Sequence, residues 1–237
     1  MKILAFSSSR VGQGGYLENA APFIKSFLGD APLNIAFIPF ASVDSHDDYL
    51  ASVSKGLSSL DYNINLVTPA NAIATIQQAD VIMVGGGNTF KLLNDIYTNN
   101  LLELIREKIN TGTPYIGWSA GSNITGLTIS TTNDMPIIEP PSFKALEFFP
   151  FQINPHYFNQ AIVGHNGETR DQRLTEFLKL NPTIPIVCLP EGTALHFESS
   201  KLTIVGDRPA ILLEKKDTSS EITKKEILAD EDISFLL

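Results

Sequence analysis

Five short runs, Lys2–Phe6, Asn34–Phe40, Asn63–Val67, Val81–Val84 and Pro114–Trp118, predict strands, and four of the five are nearly continuous in apolar residues. A strand reads that way when both of its faces are buried; with one wet face it would alternate. Between these runs, the segments Tyr16–Leu28, Asp47–Leu60 and Phe90–Ile109 carry apolar residues at i, i+3 and i+4, the spacing of a helix with one buried stripe. Strand and helix alternate through the first half. That order predicts an α/β fold with a doubly wound, mostly parallel sheet, whose ligands bind at the carboxyl ends of the strands.

The second half is less regular. Pro136, Pro140, Pro141, Pro150 and Pro155 predict a loop-rich stretch over Thr131–Pro155. Thr169–Leu180 then predicts a helix, and Pro185–Leu189, Thr193–Phe197, Leu202–Val205 and Ala210–Leu213 predict strands, some of them antiparallel additions in the C-terminal half. The Lys- and Glu-rich tail Glu214–Asp232 predicts a solvated surface. With no internal repeat, linker or low-complexity tract, the 237 residues are expected to form a single α/β domain over 1–237.

Composition narrows the function classes. At 43% apolar and 18% charged residues the chain is globular, which excludes a disordered or fibrous protein. The longest apolar runs, such as Val81–Val84 and Ile184–Leu189, fall far short of the ~18 residues of a membrane span. The opening Met1–Phe6 passes directly into Ser7-Ser8-Ser9-Arg10, too short for a signal-peptide core of about 7–15 apolar residues, so a cytoplasmic protein is expected. Cys188 is alone and has no disulfide partner within the chain, and the four histidines show no zinc-ligand spacing, so no metal or other cofactor is expected. With 17 Lys+Arg against 26 Asp+Glu, a net charge of −9 and no basic stripe, no nucleic-acid partner is expected. An anionic substrate therefore needs a dedicated local cation.

Two glycine-rich turns carry candidate chemistry. Gly117-Trp118-Ser119-Ala120-Gly121 directly follows a predicted strand. A G-x-S-x-G strand-to-helix turn holds its serine in a strained conformation above the sheet edge, which makes Ser119 a candidate nucleophile; a plain turn with Ser119 capping the next helix is the structural alternative. The strand Val81–Val84 runs into Gly85-Gly86-Gly87-Asn88-Thr89, a loop whose exposed N–H groups suit an oxyanion or, less well, a phosphate, since neither nucleotide-binding glycine signature matches. A serine nucleophile needs a base. Of the histidines, His46 lies among aspartates, His196 sits on a predicted strand and His165 lies in Gly164-His165-Asn166-Gly167. His156, after Ile153-Asn154-Pro155, is the candidate base. Two carboxylates compete to orient it. Asp134, in Thr132-Asn133-Asp134-Met135-Pro136, keeps the order serine, acid, histidine of α/β-hydrolases, whereas Glu191 follows a strand end, where sites form in such sheets.

Four blocks stand together: Val84-Gly85-Gly86-Gly87-Asn88-Thr89-Phe90, Gly117 to Asn123, Ile153-Asn154-Pro155-His156, and Gly164 to Arg170. With Phe37-Ile38-Pro39-Phe40, Thr131 to Pro136 and Leu189-Pro190-Glu191-Gly192, they make the sequence closely resemble the peptidase E (aspartyl dipeptidase) family up to about Asp207. The resemblance implies a serine peptidase on a class I glutamine amidotransferase-like fold that hydrolyses Asp-X dipeptides as its small peptide substrates. It implies Ser119 as nucleophile and His156 as general base, with Gly86, Gly87 and Ala120 as oxyanion donors, and both Asp134 and Glu191 match positions proposed for the acid. Ser122 stands where the family usually has alanine. For the substrate carboxylate, the cation expected is Arg170, at a helix start that also favours anions, with a local ion pair to Glu168 or Asp171 as its structural alternative. A cyanophycinase-like or other acyl hydrolase on the same turn, and a non-catalytic anion-binding protein, are the rival readings. The sequence carries no signal for oligomeric state.

Overall fold

The structure, a computed structural model, describes residues 1–160, 164, 166–215 and 221–237. Its main sheet has seven strands. Five are parallel: β1 (Ile3–Phe6), β2 (Leu33–Ile38), β3 (Tyr62–Leu66), β4 (Val81–Val84) and β5 (Tyr115–Trp118), in the spatial order β3, β2, β4, β5, β1. Two strands from the C-terminal half, β8 (Thr193–Glu198) and β9 (Lys201–Gly206), extend the β1 edge in antiparallel pairing. The expected antiparallel additions are therefore present, and part of them forms a second sheet of four strands. There β6 (Gln152–Asn154) and β7 (Ile186–Cys188) run parallel, and β10 (Ala210–Lys215) and β11 (Ile222–Ile227) follow in antiparallel pairs.

Burial on both sheet faces explains the unbroken apolar runs. On one face, Leu4, Phe37, Met83 and Trp118 pack with α1 (Ala21–Leu28) and α2 (His46–Gly56). On the other, Ile3, Ile38, Val84 and Tyr115 pack with α3 (Ala72–Gln78), α4 (Thr89–Thr98) and α5 (Leu102–Asn110), and the same buried cluster takes in Ile153, Val187 and Leu212 of the second sheet. The opposite face of that second sheet is covered by α7 (Arg170–Leu180), through Leu174 and Leu178. Among the described residues no helix is long and apolar enough to cross a membrane.

Three expectations are corrected. The helix expected over Tyr16–Leu28 begins only at Ala21, because Leu17 takes a φ of 56° and Pro22 occupies the first turn, where a missing N–H costs nothing. The helix expected over Phe90–Ile109 is two, broken at Asn100, whose φ of 56° belongs to the left-handed region that asparagine tolerates. The tail is not simply a solvated surface. Residues 222–227 form the edge strand β11, paired to β10 at six positions with Ile227 buried and Lys224, Lys225 and Glu226 exposed. Charge on an outer strand blocks further pairing, which is why its sequence reads as solvated.

Burial has a consequence for alkaline stability. It pushes the Cys188 thiol and the Tyr115 hydroxyl well above their ordinary values of 9.0 and 10.0. The unfolded chain loses those protons at the ordinary values while the folded chain keeps them, so stability falls as pH rises above about 9, by about 1.4 kcal/mol per pH unit for each group. Urea midpoints should therefore drop between pH 8 and pH 10.5, and less steeply in Cys188→Ala; an equal drop in both proteins counts against the thiol.

Candidate active site

Ser119 joins β5 to α6 (Ala120–Asn123) with φ 55° and ψ −113°, a left-handed conformation that a serine holds only under constraint from its surroundings. Its N–H donates to the Phe6 carbonyl at 3.1 Å, tying the turn to the end of β1. The turn also depends on a close approach. A Cβ at Gly121 would stand 2.3 Å from the Val84 carbonyl oxygen, so glycine lets the short helix press against β4. Ser122, the departure from the family pattern, is fully buried and satisfied, donating to the Phe6 carbonyl at 2.6 Å.

His156 and Glu191 reach the same place from the second sheet. Its parallel strands β6 and β7 pair Asn154 with Cys188, so both chains leave the sheet at one level, with His156 two residues on and Glu191 three. His156 also holds a positive φ, 52°, which turns its ring back toward β5. Its Nε2 lies 2.9 Å from Ser119 Oγ and its Nδ1 lies 3.1 Å from Glu191 Oε1. The His156 and Glu191 side chains are 41% and 48% exposed, so the pair adds little stability and matters through orientation. A carboxylate at Nδ1 holds the proton there and leaves the Nε2 lone pair facing the serine hydroxyl.

The turn carrying His156 is anchored by Ser7, which the sequence did not single out. The hydroxyl of this fully buried residue, at the end of β1, accepts from the His156 N–H at 2.9 Å and donates to the Leu189 carbonyl at 2.7 Å. One hydroxyl thus ties β1 to both chains leaving the second sheet. The available signal was its position, a polar residue immediately after a continuous apolar strand.

Asp134 lies elsewhere. Its Oδ2 accepts from the N–H and hydroxyl of Thr89 at 2.7 and 2.6 Å and from the Thr132 hydroxyl at 3.2 Å. A carboxylate at the start of α4 satisfies orphan helix donors and faces the positive end of the dipole. It fastens the Thr131–Pro136 loop to the glycine-rich turn, as does Asn88, whose side chain donates to the Met135 carbonyl at 2.8 Å. Two of the remaining histidines pack against other rings. His46 packs near Phe40, with ring centroids 6.2 Å apart, and His196 sits edge-on to Phe27 at 5.6 Å. His165 lies outside the described residues.

Ser119 and His156 open into a cavity of about 690 Å³ that is also lined by Gly86, Gly87, Tyr49 and Ile137. Among the described residues, nothing accepts from the N–H groups of Gly86, Gly87 or Ala120, whereas the flanking Gly85 and Asn88 N–H groups are taken by the Ile38 and Ala41 carbonyls. Gly86 lies directly against the serine: a Cβ there would stand 2.9 Å from Ser119 Cβ. Free N–H groups beside a serine–histidine contact are what a developing oxyanion requires.

Arg170 opens α7 behind a capping box formed by Thr169 and Gln172. Its Nη1 donates to Asn154 Oδ1 at 3.2 Å, and Asn154 is itself held by the Thr131 carbonyl and Asn133. Both local carboxylates are engaged with other groups. Glu168 faces Arg173 at 3.8 Å, and Asp171 binds Tyr157, Asn159 and Lys224. Among the described residues no carboxylate lies within ion-pair distance of Arg170, and burial, with Arg173 nearby, lowers its pKa from the usual value. A half-buried cation without a counter-ion suits an incoming anion. No group of three or more His, Cys, Asp or Glu among the described residues is arranged to hold a metal ion.

A family model described as Peptidase family S51 matches residues 3–205. Peptidase E of Shewanella putrefaciens (strain CN-32 / ATCC BAA-453) is 53% identical over 211 residues, covering 88% of this chain and 89% of its own. Peptidase E of Haemophilus influenzae (strain PittGG) is 49% identical over 212 residues, covering 88% and 91%. Among solved structures, a putative peptidase E protein from Listeria monocytogenes EGD-e superposes with a TM-score of 0.70 at 24% identity, covering 87% of this chain and 98% of its own. A peptidase from an acI-B1 Actinobacterium gives a TM-score of 0.73 at 19% identity, covering 99% and 96%. The two superpositions agree with the class I glutamine amidotransferase-like fold that the resemblance implies.

Proposed function

This chain belongs to peptidase family S51 and is a serine-type peptidase, and from that premise we propose that it is a cytoplasmic dipeptidase that hydrolyses Asp-X through Ser119, His156 and Glu191. The observation that carries this reading is the run of contacts from Ser119 Oγ to His156 Nε2 at 2.9 Å and from His156 Nδ1 to Glu191 Oε1 at 3.1 Å. Ser119 Oγ attacks the scissile carbonyl while Nε2 takes its proton. The oxyanion is received by the free N–H groups of Gly86, Gly87 and Ala120. His156 returns the proton to the leaving amine, and water then cleaves the acyl-enzyme by the same steps. Asp134 has a different part in this reading: it caps α4 and steadies the loop that bears Gly86 and Gly87.

Specificity for aspartate is ascribed to Arg170. The support is that no carboxylate among the described residues pairs with it in a chain of net charge −9, together with Asn154, which ties its guanidinium to the strand leading to His156. A charge-assisted bond to the substrate carboxylate is worth about 1.5–3 kcal/mol. Arg170→Ala should accordingly raise KM for Asp-Leu by about ten- to a hundredfold while hydrolysis of a neutral ester stays near the wild-type rate. Equal losses on both substrates would assign Arg170 a structural role. The direct test of the reading is hydrolysis of Asp-Leu, Ala-Leu and a β-aspartyl dipeptide by the purified protein. Turnover restricted to Asp-Leu is expected, and preference for either other substrate overturns the specificity.

A further inference from the structure

Resting on the reading of Ser119 and the glycine-rich turn given above, we propose that Tyr49 is a positioning residue for oxyanion stabilisation: its hydroxyl fixes the Gly86–Gly87 peptide beside Ser119. Tyr49 comes from α2, far in sequence from the turn, and its Oη donates to the Gly86 carbonyl at 3.0 Å. The Gly86 carbonyl can only accept, so the tyrosine hydroxyl is the donor in that bond, while Trp118 Nε1–H, a donor only, is shared between Tyr16 Oη at 3.0 Å and Tyr49 Oη at 3.1 Å. Burial pushes the Tyr49 hydroxyl far above its ordinary value, so it remains a donor through the working pH range.

The peptide unit is planar, with its C=O and N–H on opposite sides, so holding the Gly86 carbonyl sets the direction of the Gly87 N–H. That control matters because Gly87 has φ 136° and belongs to a run of three glycines with no side chain to restrain it. Tyr49 is itself restrained. Its ring stands edge-on to Phe37 at 5.1 Å and to Tyr16 at 6.0 Å, and it lies so close to the turn that a Cβ at Gly85 would be 2.5 Å from Tyr49 Oη. Because Trp118 immediately precedes Ser119, the Trp118–Tyr49–Gly86 contacts run from the nucleophile's own strand to the oxyanion turn.

The test is Tyr49→Phe, which removes only the hydroxyl, beside Tyr62→Phe, which removes a more exposed hydroxyl–carbonyl bond, Tyr62 to the Gly29 carbonyl at 2.9 Å, at the opposite end of the sheet. Three quantities are read: kcat and KM for Asp-Leu, the rate at which a fluorophosphonate labels Ser119, and Tm. Because phosphonylation also develops an oxyanion, its rate reports on the same donors without requiring the dipeptide. Tyr49→Phe should lower kcat and the labelling rate by about ten- to a hundredfold together, less than the 10²–10³ for outright loss of a donor, with KM within about twofold. Its Tm should fall by no more than about 5 °C, the loss of one hydrogen bond. Unchanged kcat and labelling overturn the proposal, as does a rise in KM alone, or a loss that follows a larger fall in Tm. If Ser119→Ala is labelled as fast as wild type, the reading of Ser119 falls, and this proposal with it.

Discussion

Ser119→Ala should lower kcat for Asp-Leu by about four to six orders of magnitude, because a serine and its base act as a unit. Two buried hydroxyls of the neighbouring strand end and helix are committed: Ser7 bridges His156 and Leu189, and Ser122 donates to Phe6. Neither is free to attack. The lone thiol, Cys188, is buried, and its raised pKa keeps it protonated and unreactive. What remains in the variant is binding and the oxyanion donors, worth roughly 10³–10⁴ over water in a comparable serine protease. Stability should change little, since alanine meets the same strain as serine at φ 55° and Ser119 N–H keeps its bond to Phe6. The check is single-turnover kinetics on variant and wild type with matched Tm. A variant that keeps more than about a tenth of the wild-type kcat would remove Ser119 from the reaction.

That variant tests a residue legible from the sequence, and the reason it was legible is physical. An apolar run buried on both faces, followed at once by G-x-S-x-G, specifies a strand, its end and a sharp turn within the eight residues Pro114–Gly121, all local. Glu191 was half legible. Its place after an apolar run suggested a strand end, but which strands pair is not local information, and the register of Asn154 with Cys188 is what brings it to His156. Asp134 is the converse case. Its chain order looked like that of an acid, whereas its bonds to Thr89 and Thr132 are those of a helix cap. Ser7 and Tyr49 were not legible, because each acts through a hydrogen bond across more than thirty residues of separation. The same holds for β11: a charged edge strand and a solvated tail have one composition, and only pairing with β10 separates them.

Glu191→Gln should cost about 10²–10⁴ in kcat, and Asp134→Asn less than about tenfold. An amide at position 191 no longer demands a proton on His156 Nδ1, so the wrong tautomer competes and the imidazolium formed during attack loses its counter-charge; a comparable loss of the acid costs about 10⁴ elsewhere. The range reaches lower here because the Glu191 side chain is 48% exposed and water can partly replace it. Asp134→Asn keeps an acceptor oxygen for Thr89 and Thr132 and gives up only the charge at the start of α4, about 0.3–1 kcal/mol of stability. The two variants should therefore separate on different axes, one in kcat at nearly constant Tm, the other in Tm at nearly constant kcat. A collapse of kcat in Asp134→Asn with Glu191→Gln near wild type would transfer the acid to Asp134, and would require the Thr131–Pro136 loop to leave the helix it caps before catalysis.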